Sequence, residues 1–175
     1  PCEEYQIFYR DIFKLIFCLI GINAVDLYGL TTIDKGRIEY TRAKTSKLYS
    51  IKVEPEAMEI INRYRGEKNL LCIADRWDDK NNFIRQTKAL RKIGKVERKG
   101  RGGKKVIEPL FPELTTYWAR HTWATIASYL DIPKETIAQA LGHGGNTVTD
   151  VYIDFDKRKV DEANRKVLDY VLSKK

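Results

Sequence analysis

Residues 119–125 of this chain are Ala-Arg-His-Thr-Trp-Ala-Thr. They lie within residues 115–130, whose apolar spacing and Thr-Thr start predict a helix. Residues 141–143, Leu-Gly-His, stand at the predicted end of the next helix, and Tyr152 follows nine residues after His143. Each of these features alone is usually a surface charge, a helix cap or ordinary packing. Together they indicate a site built from an arginine, a histidine and a tyrosine.

The first third of the chain predicts two helices, a hairpin and a third helix. Residues 5–20 carry apolar side chains at helical spacing, and residues 23–30 predict a second, shorter helix. Apolar and polar residues then alternate on both sides of a short polar turn at residues 45–47, which is typical of a β-hairpin. Residues 55–64 return to a helical pattern. Lys44 lies just before the predicted turn.

A strongly basic segment follows in residues 76–105, with twelve Lys or Arg against three Asp or Glu. Within it, residues 83–93 predict a basic helix and residues 99–105 a flexible basic loop. A charge run usually forms a solvated face, but this segment alone exceeds the net charge of +8 of the whole chain. The bias favours contacts with phosphates. We expect four side chains of the loop to bind DNA: Lys99, Arg101, Lys104 and Lys105.

The last part of the chain predicts two more helices. Asp131 is expected to cap the first of them, which ends at Gly142. The second carries an apolar stripe. This stripe either docks on another copy of the chain or packs on its own core, and the sequence leaves both open. Its residues are Val160, Ala163, Val167 and Val171.

Composition indicates a globular protein with a polyanionic partner. The 175 residues, 43% of them hydrophobic, suit one domain with its own core. The positive net charge favours nucleic acid over an anionic membrane surface, because the longest apolar run, residues 15–20, is too short to span a bilayer. The chain starts with Pro1 and Cys2 rather than Met, which indicates a single domain, residues 1–175, cut from a longer protein.

The cysteines and histidines predict neither a disulfide framework nor a metal site. Three cysteines cannot all pair with one another, and Cys18 lies in an apolar helical run. Buried, reduced thiols of a cytoplasmic protein are the expected state. The only two histidines, His121 and His143, have no Cys or His at the spacing of a metal site.

These motifs together resemble the catalytic domain of the tyrosine recombinase (phage integrase) family. The likeness lies in Arg-His-Thr-aromatic-Ala-Thr, then Leu-Gly-His, then a tyrosine nine residues on. The helices before the hairpin, and Lys44-Thr45 within it, are also similar to that family. The resemblance covers nearly the whole chain, and its C-terminal half is specific. It implies a mainly α fold with a small antiparallel β-sheet, and a missing N-terminal DNA-clamping domain.

The resemblance implies DNA cleavage and rejoining by a tyrosine nucleophile. Tyr152 would attack the phosphodiester and keep the bond energy in a covalent phosphotyrosine. Arg120 would bind the negative charge of the transition state. His143 would bond the same phosphate or assist proton loss from Tyr152, and Lys44 would protonate the departing 5′ oxygen. This chemistry requires no metal or nucleotide cofactor.

Two positions depart from the family pattern. Asn23 stands where the family usually has a phosphate-binding arginine, although Asp26 matches the acidic position nearby. Tyr117 stands where the family often has a histidine, and it shares a helix face with Arg120. Arg42 is the expected replacement for the missing guanidinium, because in an extended strand it and Lys44 point the same way.

The resemblance also implies double-stranded DNA as partner, with a homo-tetramer on DNA and a monomer off DNA, acting as the integrase of a mobile element. One alternative is a DNA-binding protein without cleavage activity. It is either a degenerate recombinase-like domain or a helix-turn-helix protein that uses residues 125–142. Another is a topoisomerase-like nicking enzyme, which shares the chemistry but needs no specific site.

Overall fold

A computed structural model describes residues 3–142 and 157–174 of the chain. A 3-10 helix spans Thr87–Lys92. The α-helices are α1 (Glu4–Cys18), α2 (Ala24–Tyr28), α3 (Pro55–Arg63), α4 (Ile73–Arg76), α5 (Lys80–Gln86), α6 (Tyr117–Tyr129), α7 (Lys134–Leu141) and α8 (Lys157–Leu172). The strands are β1 (Arg37–Thr41), β2 (Leu48–Lys52), β3 (Gly94–Lys99) and β4 (Lys104–Pro109).

The core is built around α1, whose apolar residues recur every three or four positions and therefore share one face. Ile12, Leu15 and Ile16 are fully buried there, as the sequence predicts. Helices α3 and α6 pack against α1. The mainly helical fold with a small amount of antiparallel sheet is therefore confirmed.

A buried polar link joins three helices. The indole Nε1 of Trp123 on α6 donates to Oδ1 of Asn164 on α8 at 2.9 Å. The Nδ2 of Asn164 donates in turn to the carbonyl oxygen of Cys18 at the end of α1, at 3.0 Å. Both side chains are buried, so this link aligns α6 with α1 and α8. Cys18 itself is a buried free thiol.

The structure has two separate two-stranded sheets rather than the single sheet expected. Strands β1 and β2 form the predicted antiparallel hairpin. Strands β3 and β4 form a second hairpin, so the prediction of a flexible loop over residues 99–105 is wrong. The chain reverses between Gly100 and Gly103, which both have positive φ angles, and the N–H of Gly103 bonds the Gly100 carbonyl at 3.0 Å. The lysines and glycines hide the strand alternation in the sequence.

Two local predictions are also wrong. The basic helix expected over residues 83–93 is divided, because α5 ends at Gln86 and a 3-10 helix continues to Lys92. Asp131 does not cap the next helix, since it lies in the turn with a φ of 54° and α7 begins only after Pro133. The predicted end of α7 is right, because Gly142 adopts a left-handed conformation there.

Helix α8 packs on its own chain, against α6 and α7. Ala163 and Val167 of its apolar stripe are buried, while Val171 at the far end remains 37% exposed. Arg165 on the same helix pairs with Glu54 and with Glu56 at the start of α3. The stripe therefore serves the core of its own chain in this structure. Among the described residues, no helix is long and apolar enough to cross a membrane.

Candidate functional site

Arg120 lies at the centre of the candidate site, on the first half of α6. Its side chain is only 6% exposed, which is unusual for an arginine. Its Nη1 donates to the Gly21 carbonyl at 3.1 Å, and its Nη2 donates to the Leu141 carbonyl. Burial lowers the pKa of Arg120, and the nearby Arg42 guanidinium lowers that pKa further. The protein therefore holds this cation at a fixed place at an energetic cost.

Two glycines make room for this arrangement. A Cβ atom on Gly21 would lie 2.5 Å from the Arg120 Cα, and the φ of Gly21 is +69°. A Cβ atom on Gly142 would lie 1.3 Å from the Tyr49 hydroxyl oxygen, and its φ is also +69°. Only a residue without a side chain fits at these places. The sequence marks both glycines as helix ends but does not reveal the close packing around Arg120.

The turn between β1 and β2 brings Lys44 to the surface beside α2. Strand β1 ends before Arg42, whose N–H bonds the Lys47 carbonyl at 2.9 Å to close the turn. Asp26 on α2 accepts a bond from the Ala43 N–H at 3.0 Å and so anchors the turn. Lys44 is exposed within it. The expectation that Arg42 and Lys44 share the face of an extended strand is therefore wrong, because both residues lie in the turn.

Arg42 nevertheless points into the site. Its Nη1 donates to the Tyr49 hydroxyl at 3.4 Å, and that hydroxyl donates to the Leu141 carbonyl at 3.3 Å. The amide of Asn23 satisfies its hydrogen bonds when its oxygen faces Arg42, accepting from Nη2 at 3.1 Å and from Nε at 3.2 Å. Since Arg120 also donates to Leu141, the Leu141 carbonyl accepts from Arg120 directly and is linked to Arg42 through the Tyr49 hydroxyl.

Arg42 and Arg120 place two positive charges in the site. Within residues 3–142 and 157–174, no ion pair joins a carboxylate to Arg42 or to Arg120. Two guanidiniums placed close together repel each other. The Asp26 carboxylate lies 3.5 Å from the Asn23 side-chain amide and accepts a bond from the Ala43 N–H, but it forms no ion pair with either arginine. A bound anion would reduce the repulsion between the two cations. The paired guanidiniums therefore form a candidate site for a phosphate group.

A small surface pocket leads to Arg120. Its volume is about 30 Å³, and it is lined by residues 21–24 together with Thr116, Tyr117 and Arg120. Tyr117 is 51% exposed, and its ring meets the His121 ring edge to face at 4.5 Å between centroids. The expected placement of Tyr117 beside Arg120 is observed, and its phenol raises the pKa of that arginine.

Two of the expected catalytic residues, His143 and Tyr152, lie outside the described residues. The structure describes the chain up to Gly142, the residue before His143. The carbonyl of Leu141 at the end of α7 receives bonds from Arg120 and Tyr49, and Gly142 follows it directly. The chain therefore leaves α7 at the arginine site, one residue before His143.

The four expected DNA-binding residues belong to the β3–β4 hairpin. Lys99 ends β3 and Arg101 lies in the turn, and both are exposed. Lys105 is paired with Glu3 and lies over the Tyr5 ring. Lys104 begins β4, and its side chain is outside the described part of the structure. Among these four residues, Lys99 and Arg101 are therefore solvent-exposed cations, and Lys99 lies 3.8 Å from a Glu97 carboxylate oxygen, whereas Lys105 is paired with Glu3.

Tyr49 is the site residue that the sequence does not reveal. Its alternation with Ile51 predicts a buried strand side chain, and it is 9% exposed. Nothing in that pattern shows that its hydroxyl joins Arg42 to the end of α7, because these partners lie far apart in the chain. A buried tyrosine hydroxyl usually needs a hydrogen-bond partner, which is the only available signal.

No family model, no curated protein and no solved structure matches this chain. Among the described residues, no three His, Cys, Asp or Glu side chains are grouped to hold a metal ion. The features of the chain that bear on function are therefore the two neighbouring guanidiniums of Arg42 and Arg120 and the sequence motifs around them.

Proposed function

We propose that this chain cleaves and rejoins double-stranded DNA through a covalent phosphotyrosine, as the site-specific recombinase of a mobile element. The observation that supports this most is the buried Arg120 guanidinium with a second, Arg42, beside it and no described carboxylate paired to either. Two fixed cations suit a phosphodiester in its transition state. We propose the tyrosine recombinase catalytic-domain fold because the sequence motifs resemble that family and the chain is mainly helical with two small antiparallel sheets.

The reaction assigns one task to each expected catalytic residue. The Tyr152 oxygen attacks the scissile phosphorus, so that a 3′-phosphotyrosine forms and the 5′ oxygen leaves. Arg120 stabilises the charge on the non-bridging oxygens. Lys44 donates a proton to the leaving oxygen, and His143 either bonds the phosphate or assists removal of the Tyr152 proton. Attack by a 5′ hydroxyl on the phosphotyrosine reverses these steps and rejoins the strand.

The surroundings of the site support a DNA partner. Lys44 is exposed on the turn next to Arg42, so a phosphate held by the arginines lies near a potential proton donor. The exposed Lys99 and Arg101 extend the positive surface along the β3–β4 hairpin. We propose a monomer off DNA and a homo-tetramer on DNA.

Trapping of the covalent intermediate tests this function. In a duplex nicked a few nucleotides downstream of the scissile phosphate, cleavage releases a short fragment that carries the new 5′ hydroxyl. This fragment diffuses away, so the cleaved complex cannot rejoin and accumulates. We expect an adduct with the wild-type chain and none with Tyr152→Phe, which lacks only the hydroxyl. Tyr129→Phe is the matched control, because Tyr129 is 70% exposed on α6 and should react as the wild type does.

Three results would count against the proposal. An adduct that persists in Tyr152→Phe would assign the chemistry to another residue. Sequence-specific binding without any wild-type adduct would support the DNA-binding alternative without cleavage. Relaxation of supercoiled DNA at random sites would favour the topoisomerase-like alternative.

A further inference from the structure

We infer that Asn23 and Tyr49 are positioning residues that hold the Arg42 guanidinium beside Arg120, so that the two arginines bind one phosphate group together. The inference deepens the proposed function and rests on it for the identity of that phosphate. Its evidence is the set of hydrogen bonds that fix Arg42: two to the Asn23 amide oxygen and one to the Tyr49 hydroxyl.

The groups that fix the Arg42 guanidinium are uncharged. A carboxylate is the usual partner that fixes a buried or half-buried guanidinium, because the ion pair also offsets its charge. Here the amide of Asn23 and the phenol of Tyr49 hold Arg42 instead. Arg42 is therefore oriented without being neutralised, which leaves its charge for a ligand.

The hydrogen bonds also leave donors available. A guanidinium has N–H groups on three nitrogens, and the bonds to Asn23 and Tyr49 use only part of those on Arg42. Arg120 donates one bond from each of Nη1 and Nη2 to the Gly21 and Leu141 carbonyls. Each arginine thus has further N–H groups that bond no residue in the described part of the chain. A tetrahedral phosphate presents several oxygens to such donors.

In the competing interpretation, Arg42 only stabilises the fold, because it links the β1–β2 hairpin through Tyr49 to the end of α7. The two interpretations differ over Asn23→Asp. Aspartate has nearly the same shape and accepts the same two bonds, so a purely structural link to Arg42 would be as strong or stronger. A phosphate site would be weakened, because the new carboxylate neutralises Arg42 and repels the anion.

The test measures binding of inorganic phosphate at constant ionic strength. Ligand binding to the folded state raises the midpoint of thermal unfolding, so the midpoint at increasing phosphate gives an apparent Kd. We expect the apparent Kd to rise at least about tenfold in Asn23→Asp and in Arg42→Ala, the scale of one charge-assisted hydrogen bond. Without phosphate, the unfolding midpoint of Asn23→Asp serves as the baseline of its own phosphate series, because the new carboxylate pairs with Arg42 but also lies close to Asp26, which is 3.5 Å from the Asn23 amide. Tyr49→Phe should weaken binding less, and Arg101→Ala, a control cation on the other hairpin, should leave it unchanged.

Several results would overturn the inference. One is a wild-type chain that phosphate does not stabilise. The others are an Asn23→Asp variant or an Arg42→Ala variant that binds phosphate as well as the wild type does. The last two also separate the two proposals. A wild type that forms the covalent DNA adduct while Arg42→Ala binds phosphate normally refutes the role of Arg42 but not the reaction. A phosphate effect as expected without any adduct refutes the reaction but not the paired-arginine site.

Discussion

The Arg120 site and the β3–β4 hairpin both offer cations to a phosphate, but they are built in opposite ways. Arg120 is 6% exposed and fixed by carbonyl groups from two other segments. Lys99 and Arg101 are exposed, and Lys99 has only a distant carboxylate, Glu97, at 3.8 Å. A buried, oriented cation suits a transition state, whereas an exposed one adds affinity for any phosphate backbone. Under the proposed function, we expect the Arg120 site to act in catalysis and the β3–β4 hairpin to act in binding.

Arg120→Ala should have the largest effect. Removing a preorganised guanidinium should slow covalent adduct formation on nicked DNA by about 10³-fold, since a single oriented donor is commonly worth that much. The DNA dissociation constant should change little, because the hairpin cations remain. The adduct rate at saturating DNA and the dissociation constant are measured on the same variant, with circular dichroism to verify folding. Equal losses in adduct rate and in DNA affinity would contradict the expectation that the Arg120 site and the hairpin have different roles.

Lys44→Ala should slow cleavage of normal DNA by at least about 10²-fold, the usual contribution of a general acid. A substrate with sulfur in place of the 5′-bridging oxygen should recover most of that rate, because a thiolate leaves without protonation. Lys47→Ala, in the same turn, is the control. An equal defect on both substrates would show that Lys44 acts in binding rather than in proton transfer.

Gly21→Ala should destabilise the fold and displace Arg120. The new Cβ atom would lie 2.5 Å from the Arg120 Cα at a positive φ, so we expect the free energy of unfolding to fall by about 2–5 kcal/mol. Gly36→Ala is the matched control, because its φ is +74° but nothing lies within 4 Å of the added atom. It should cost only about 1–2 kcal/mol from backbone strain. Urea unfolding compares the two, and equal losses would mean that the approach of Arg120 is not tight.

The hairpin should give the smallest and most general effect. The double substitution Lys99→Ala with Arg101→Ala should reduce the slope of log Kobs against log salt by about two, roughly one for each phosphate that no longer meets a cation. Affinity should fall equally on every DNA sequence, and the adduct rate at saturating DNA should not change. Lys105→Ala should alter the slope less, because Lys105 is paired with Glu3. If the salt slope of the double variant equals that of the wild type, Lys99 and Arg101 do not contact DNA phosphates and the hairpin is only a solvated surface.

The sequence predicted those features that depend on local periodicity. Apolar spacing at residues 5–20 and 115–130 predicted α1 and α6 closely, because one buried face controls each helix. Strands β3 and β4 were missed, since charged residues occupy much of a ribbon exposed on both sides. Alternation then gives almost no hydrophobic signal.

The candidate site was predictable only in part. Arg120, Tyr117 and the Lys44 turn were found through motifs, and the structure places Tyr117 beside Arg120. The bonds from Arg42 to Asn23 and Tyr49 depend on how a turn meets two other elements, which no local pattern encodes. The role of Arg42 stays a prediction, although the strand geometry expected for it is wrong. His143 and Tyr152 likewise stay predictions.

The residue that carries the DNA is the most direct test of the central claim. The adduct formed on nicked DNA is digested with nuclease and protease, and mass spectrometry locates the peptide that retains a nucleotide. We predict that the modified residue is Tyr152, linked through its phenolic oxygen to a 3′ phosphate. A nucleotide on any other residue, a 5′ linkage, or no adduct from a wild-type chain that binds the same DNA would contradict the account.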